Sequence, residues 1–106
     1  MQPGERHTFK TGIISEFSAD HVVLIWDRGG LAVKSGITCL AGVIDSNYRG
    51  EWMICLLNTS NEKYKISKGD RIAQALIQKV EISEIEEVEE LSDSERGEGW
   101  KGSSGK

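Results

Sequence analysis

Three places in the sequence gather residue types that handle phosphate or activate water. Asp45-Ser46-Asn47-Tyr48-Arg49-Gly50 sets a carboxylate, an amide, an aromatic ring and a guanidinium in one short stretch. Taken alone, such a stretch is a hairpin turn, because Asp and Asn bond their own backbone and Gly eases the reversal. Tyr48 is then a cross-strand packing ring. Taken as a site, Asp45 can hold a water for attack. Arg28 stands before Gly29 and Gly30, and Gln74 follows Gly69-Asp70-Arg71; their plain readings are a surface charge and a strand-edge amide. The third place is Arg96-Gly97-Glu98-Gly99-Trp100-Lys101-Gly102-Ser103-Ser104-Gly105. It joins a guanidinium suited to bidentate phosphate binding to glycines that let backbone amides approach an anion. Composition alone makes it a mobile tail or linker, and no GxxxxGK[ST] loop can be fitted to it.

The elements that must position these residues read as strands. Val22 to Trp26, Gly36 to Ile44, Trp52 to Leu57 and Arg71 to Val80 are apolar, rich in branched residues, and separated by short Gly/Asn/Asp/Ser clusters. Close, regular spacing of short strands points to an all-β sandwich or barrel rather than a βαβ sheet. One segment reads differently. Ile82, Ile85, Val88 and Leu91 recur every third position within a Glu-rich stretch, the pattern of a short amphipathic helix.

A chain of 106 residues supports one small domain with little core to spare for a cleft, which favours an oligomer. Its net charge of −4 is unevenly spread. Residues 1–80 hold ten bases against eight acids, while Glu81, Glu84, Glu86, Glu87, Glu89, Glu90, Asp93 and Glu95 have no base among them. Without a continuous basic face a nucleic-acid polymer is excluded as partner, whereas one nucleotide needs only a few cations. No apolar run approaches the roughly 20 residues of a membrane span, and the start lacks a signal peptide's apolar core. Cys39 and Cys55 show no metal or CxxC spacing and read as reduced thiols of a cytoplasmic protein. His7 and His21 read as ordinary surface or strand residues.

In combination the three places resemble a known family. Gly42-Val43-Ile44-Asp45-Ser46-Asn47-Tyr48-Arg49-Gly50-Glu51 is similar to the third conserved motif of the dUTP diphosphatases, or dUTPases. Gly69-Asp70-Arg71-Ile72-Ala73-Gln74 is similar to the fourth, Arg28 with Gly30-Leu31-Ala32 to the second, and Arg96-Gly97-Glu98-Gly99 with Gly102-Ser103-Ser104-Gly105 to the fifth. The four stand in the family's order and cover nearly the whole chain. The resemblance implies a jelly-roll-like β-barrel assembled as a homotrimer, each site shared between subunits. It implies hydrolysis of dUTP to dUMP and pyrophosphate with Mg²⁺ carried mainly by the substrate's phosphates and water, as that ion prefers. Asp45 would then hold the attacking water, and Tyr48 would pack on the deoxyribose and exclude a 2′-hydroxyl. Asn47 lies in the hairpin whose backbone reads uracil; Arg28, Gly29, Gly30 and Gln74 would contact phosphates. Arg96, Ser103 and Ser104 would close over the nucleotide, with Trp100 supplying a ring. The same comparison makes residues 1–95 the barrel domain, 81–95 an extended acidic arm within it rather than a helix, and 96–106 a mobile closing tail.

The sequence departs from the family in three ways. The first motif, A-G-x-D-L, is absent from these residues, Gly29 replaces the second motif's Ser, and Trp100-Lys101 stand where the fifth has Gly-Phe. Two functions therefore stay open at this stage: a working dUTPase, and a deoxynucleotide-binding module that has lost efficient hydrolysis.

Overall fold

The computed structural model describes residues 1–92. Six strands and one short helix follow in chain order: β1 (Arg6–Lys10), β2 (His21–Trp26), α1 (Gly29–Ser35), β3 (Ile37–Leu40), β4 (Val43–Ile44), β5 (Met53–Asn58) and β6 (Gln74–Lys79). They form two three-stranded sheets, ordered β1-β5-β3 and β4-β2-β6, with every pairing antiparallel.

The period-2 alternation of β2 and β5 explains why the sheets face each other. Val23 and Ile25 of β2 turn inward, as do Ile54 and Leu56 of β5. Ile37 of β3 and Ile44 of β4 complete the core, so each sheet supplies three of the six buried apolar side chains. Leu56 is completely buried, and truncating such a leucine to alanine costs about 2–5 kcal/mol. One polar side chain, Asn58, shares that burial without loss, because all its bonding capacity inside the fold is met. Its Nδ2 donates to Met1 O at 3.1 Å and Glu62 O at 2.8 Å, and its Oδ1 accepts from Ser60 N at 3.0 Å and Ser60 Oγ at 2.7 Å. The segment before β1 and the loop after β5 are tied together there, at one end of the first sheet.

The single strand expected over Gly36 to Ile44 is two strands, in different sheets. The chain crosses over at Ala41 (φ 63°) and Gly42 (φ 129°). A Cβ on Gly42 would lie 2.7 Å from Ile25 O, while Ile25 N donates to Gly42 O at 2.7 Å. Only glycine lets the crossover press this closely against β2. Helix α1 was not expected, because residues 27–30 read as a turn and seven residues are too few to show a periodicity. It ends at Gly36 in the left-handed conformation, whose N–H satisfies the carbonyls of Ala32 and Leu31. Strand β1 was also not expected; its Arg, His, Thr and Lys suit the sheet edge it occupies.

The helix read from the pattern of residues 81–91 does not form. Residues 81–92 carry no helix or strand and are exposed throughout, with Ile85 at 101 % and Leu91 at 87 %. The apolar stripe packs on no surface among the described residues, and an isolated helix of this length is marginal in water. Clustered glutamates repel each other as well. Among the described residues, no helix is long and apolar enough to cross a membrane.

Candidate active site

The turn segment that carries Asp45, expected as a hairpin, starts where buried Ile44 ends β4 and leads into β5, which lies in the other sheet and does not pair with β4. Tyr48 N donates to Asp45 O at 3.1 Å, closing the turn, and the Tyr48 hydroxyl donates to Glu51 O at 2.7 Å. Arg49 bonds Ser46 O. Four further bonds brace the hairpin's returning arm against the loop after β1. Trp52 N donates to Ile13 O at 2.7 Å and Trp52 Nε1 to Ser15 Oγ at 2.9 Å, while Thr11 Oγ1 donates to Trp52 O at 2.8 Å and Gly12 N to the Glu51 carboxylate at 2.7 Å. Asp45 and Tyr48 line one cavity of about 270 Å³, whose other walls include Ile25, Ile44, Trp52 and Cys55. Apolar walls with a single carboxylate suit a flat, weakly polar ring beside a group that must meet water.

Arg28 lies elsewhere. With Gly29 and Gly30 it lines a second cavity of about 510 Å³, joined by Lys34 and Arg71. Arg28 and Gln74 together border a groove of about 440 Å³. Arg28 Nη1 donates to Arg71 O at 3.2 Å, and Gln74 Nε2 to Asp27 O at 2.7 Å. The Asp27 carboxylate accepts from Thr38 Oγ1 and from Cys39 N, each at 2.6 Å. The Thr38 bond is the main reason its carboxyl is held below the usual range. Burial, with that carboxylate nearby, pushes the Cys39 thiol up to about 11.

Within one chain the structure thus brings Asp45 and Tyr48 together, and Arg28 together with Gly29, Gly30 and Gln74, but the two groups do not share a cavity. Trp52 and Ile25 stand between them, lining both the hairpin cavity and the groove. Asn47 is exposed on the hairpin and does not line Asp45's cavity. Arg96, Trp100, Ser103 and Ser104, with the closing tail as a whole, lie outside the described residues. The sequence reading passed over Lys34, Arg71 and Trp52. Arg71 stood inside a quoted motif, whereas nothing in spacing singles out Lys34 or Trp52.

Two other arrangements can be set aside. Ser18, Asp20 and His21 cluster, but the Ser18 hydroxyl and the Asp20 carboxylate both meet His21 Nδ1, at 2.9 and 2.8 Å. A proton relay needs the two partners on opposite ring nitrogens. Among the described residues no three His, Cys, Asp or Glu side chains come together to hold a metal ion.

The family model of the dUTPases matches residues 1–105. The chain belongs to the dUTPase family. Among curated relatives, the deoxyuridine 5′-triphosphate nucleotidohydrolase of Nautilia profundicola is 53 % identical over 108 residues, spanning 100 % of this chain and 76 % of that protein. The enzyme of the same name from Finegoldia magna is 44 % identical, spanning 99 % and 75 %. Among solved structures, a variant dUTPase of Staphylococcus bacteriophage 80alpha with dUpNHpp superposes with a TM-score of 0.86 at 31 % identity, over 99 % of this chain and 79 % of that one. The two facing sheets are therefore the distorted jelly-roll-like barrel of the dUTPases. The short helix α1 and the crossover at Gly42 belong to this dUTPase fold as it is built here.

Proposed function

We propose that the protein hydrolyses dUTP to dUMP and pyrophosphate. The observation that carries the reading is the hairpin cavity, where Asp45 and the fixed Tyr48 ring share an otherwise apolar space. A deoxyuridine fits that chemistry: the ring packs on the sugar, and the exposed backbone of the hairpin offers amide donors and acceptors to the base. Asp45 accepts a hydrogen bond from water and takes its proton as the oxygen attacks phosphorus. The bond between the α- and β-phosphoryl groups breaks, and pyrophosphate leaves. A buried donor–acceptor pattern for uracil rejects mismatched bases strongly.

Phosphates need cations and amide donors, and the described residues supply these at Arg28, Gly29, Gly30 and Gln74, away from Asp45. One chain therefore holds two part-sites, which supports a homotrimer that closes the hairpin of one subunit against the Arg28 region of another. Arg96, Trp100, Ser103 and Ser104 would complete the enclosure, with 96–106 as the closing tail and 81–95 the arm that carries it. The chain offers no protein cage for a cation among its described residues. Mg²⁺ would travel with the triphosphate and lower its charge. Two free cysteines suit the reducing cytoplasm, where we place the protein.

The test is pyrophosphate release from dUTP beside dCTP, dTTP and UTP, with native mass measured in parallel. Turnover of dUTP well above the others by a trimer supports the reading. Comparable rates on UTP would remove Tyr48 from its role, and tight dUTP binding without turnover would make the protein a binding module.

A further inference from the structure

Asp27 belongs neither to the hairpin nor to the apolar core, yet it makes three of the shorter bonds in the molecule. Its carboxylate is held by β3 through Thr38 Oγ1 and Cys39 N, both at 2.6 Å. Its backbone carbonyl receives Gln74 Nε2 at 2.7 Å. One residue therefore links the end of β2 to a strand of the opposite sheet by its side chain, and to the first residue of β6 by its main chain. The amide of Gln74 has two N–H donors. With one given to Asp27, the plane of the amide is set and the second remains for an anion. Arg28, the next residue, opens α1 without any side-chain cap of its own, so its backbone position follows that of Asp27.

We propose that Asp27 is a positioning residue for dUTP hydrolysis: anchored on β3 by its carboxylate, it fixes the carbonyl that orients Gln74 and the backbone that presents Arg28. The inference rests on the reading above, in which Gln74 and Arg28 contact the phosphates. Asp27 touches no substrate atom itself. Its carboxyl is held below the ordinary range, chiefly by the Thr38 hydroxyl, so the anchor is a charged acceptor at neutral pH. Charge-assisted bonds of this kind are shorter and stronger than neutral ones.

The test is steady-state kinetics on dUTP with the full chain. Asp27→Ala frees the carbonyl from β3 and should raise KM about tenfold while kcat stays within about threefold, since loss of uniform binding raises KM with little effect on kcat. Asp27→Asn keeps an acceptor for Cys39 N–H and a donor for the Thr38 oxygen, and should recover most of the loss. In a double-mutant cycle, Asp27→Ala should add little to Gln74→Ala, because the two act on one contact. Should Asp27→Ala fail to fold, Thr38→Val removes only one of the two anchoring bonds, and a smaller KM rise with the same non-additivity is expected. Full additivity with Gln74→Ala, an unchanged KM, or no recovery in Asp27→Asn would overturn the proposal. Failure of the underlying reading looks different: the parent protein would not turn over dUTP, or Gln74→Ala alone would leave KM unchanged, and either result removes this inference with it.

Discussion

Gly50→Ala separates the geometry of Tyr48 from the stability of the fold. Gly50 has no positive φ, so alanine costs little in backbone terms. Its new Cβ would sit 2.5 Å from the Tyr48 hydroxyl oxygen and 2.6 Å from Cζ, where ordinary contact begins near 3.4 Å. Tyr48 must therefore retreat by about 1 Å, which breaks its bond to Glu51 O, 2.7 Å in the native chain. Loss of one neutral hydrogen bond costs about 1 kcal/mol, and the hairpin keeps its four bonds to the loop after β1. The fold should survive with a melting point lowered by only about 4–8 °C. Activity should suffer far more, because a misplacement of about 1 Å can cost about 10² in rate. We expect kcat/KM for dUTP to fall about a hundredfold and the preference for dUTP over UTP to shrink, as the ring would leave the place from which it is proposed to screen the sugar. The assay is pyrophosphate release with each nucleotide beside a thermal melt. Wild-type kcat/KM and wild-type preference in a folded Gly50→Ala protein would refute the role given to Tyr48.

Two further outcomes follow from the fold. Gly42→Ala should destabilise by about 1–3 kcal/mol or more, because alanine at this φ is strained and its Cβ meets Ile25 O; a denaturant melt with wild-type stability would contradict the tight crossover. Cys39, its thiol pushed up to about 11 chiefly by burial, should resist iodoacetamide at pH 8 in the folded protein and react once unfolded, as followed by peptide mass mapping.

The strands that build the core were legible because branched and apolar residues run through them, and β2 and β5 fell within a residue or so of their observed bounds. The break at residues 41–42 was signalled only by Ala41-Gly42, a weak interruption between two branched runs that also suits a bulge, while the change of sheet depends on positive φ at both residues. The stripe Ile82-Ile85-Val88-Leu91 misled a reading by periodicity, which assumes a surface to pack against, and the described residues provide none. At the site, the hairpin residues were legible as a cluster because they are contiguous. That Arg28 and Gln74 would meet through Asp27, and that Trp52 would wall them off from Asp45, depends on strand pairing such as Trp26 with Gln74. Spacing along the chain does not encode that.

The role proposed for Asp45 is tested by comparing the parent with Asp45→Asn for pyrophosphate release from dUTP with Mg²⁺. The substitution keeps shape and removes the base. The parent should yield one pyrophosphate per dUMP, and Asp45→Asn should bind dUTP nearly as well while turning over slower by about 10²–10⁴. Equal turnover in the two proteins would make Asp45 a turn residue and contradict the mechanism.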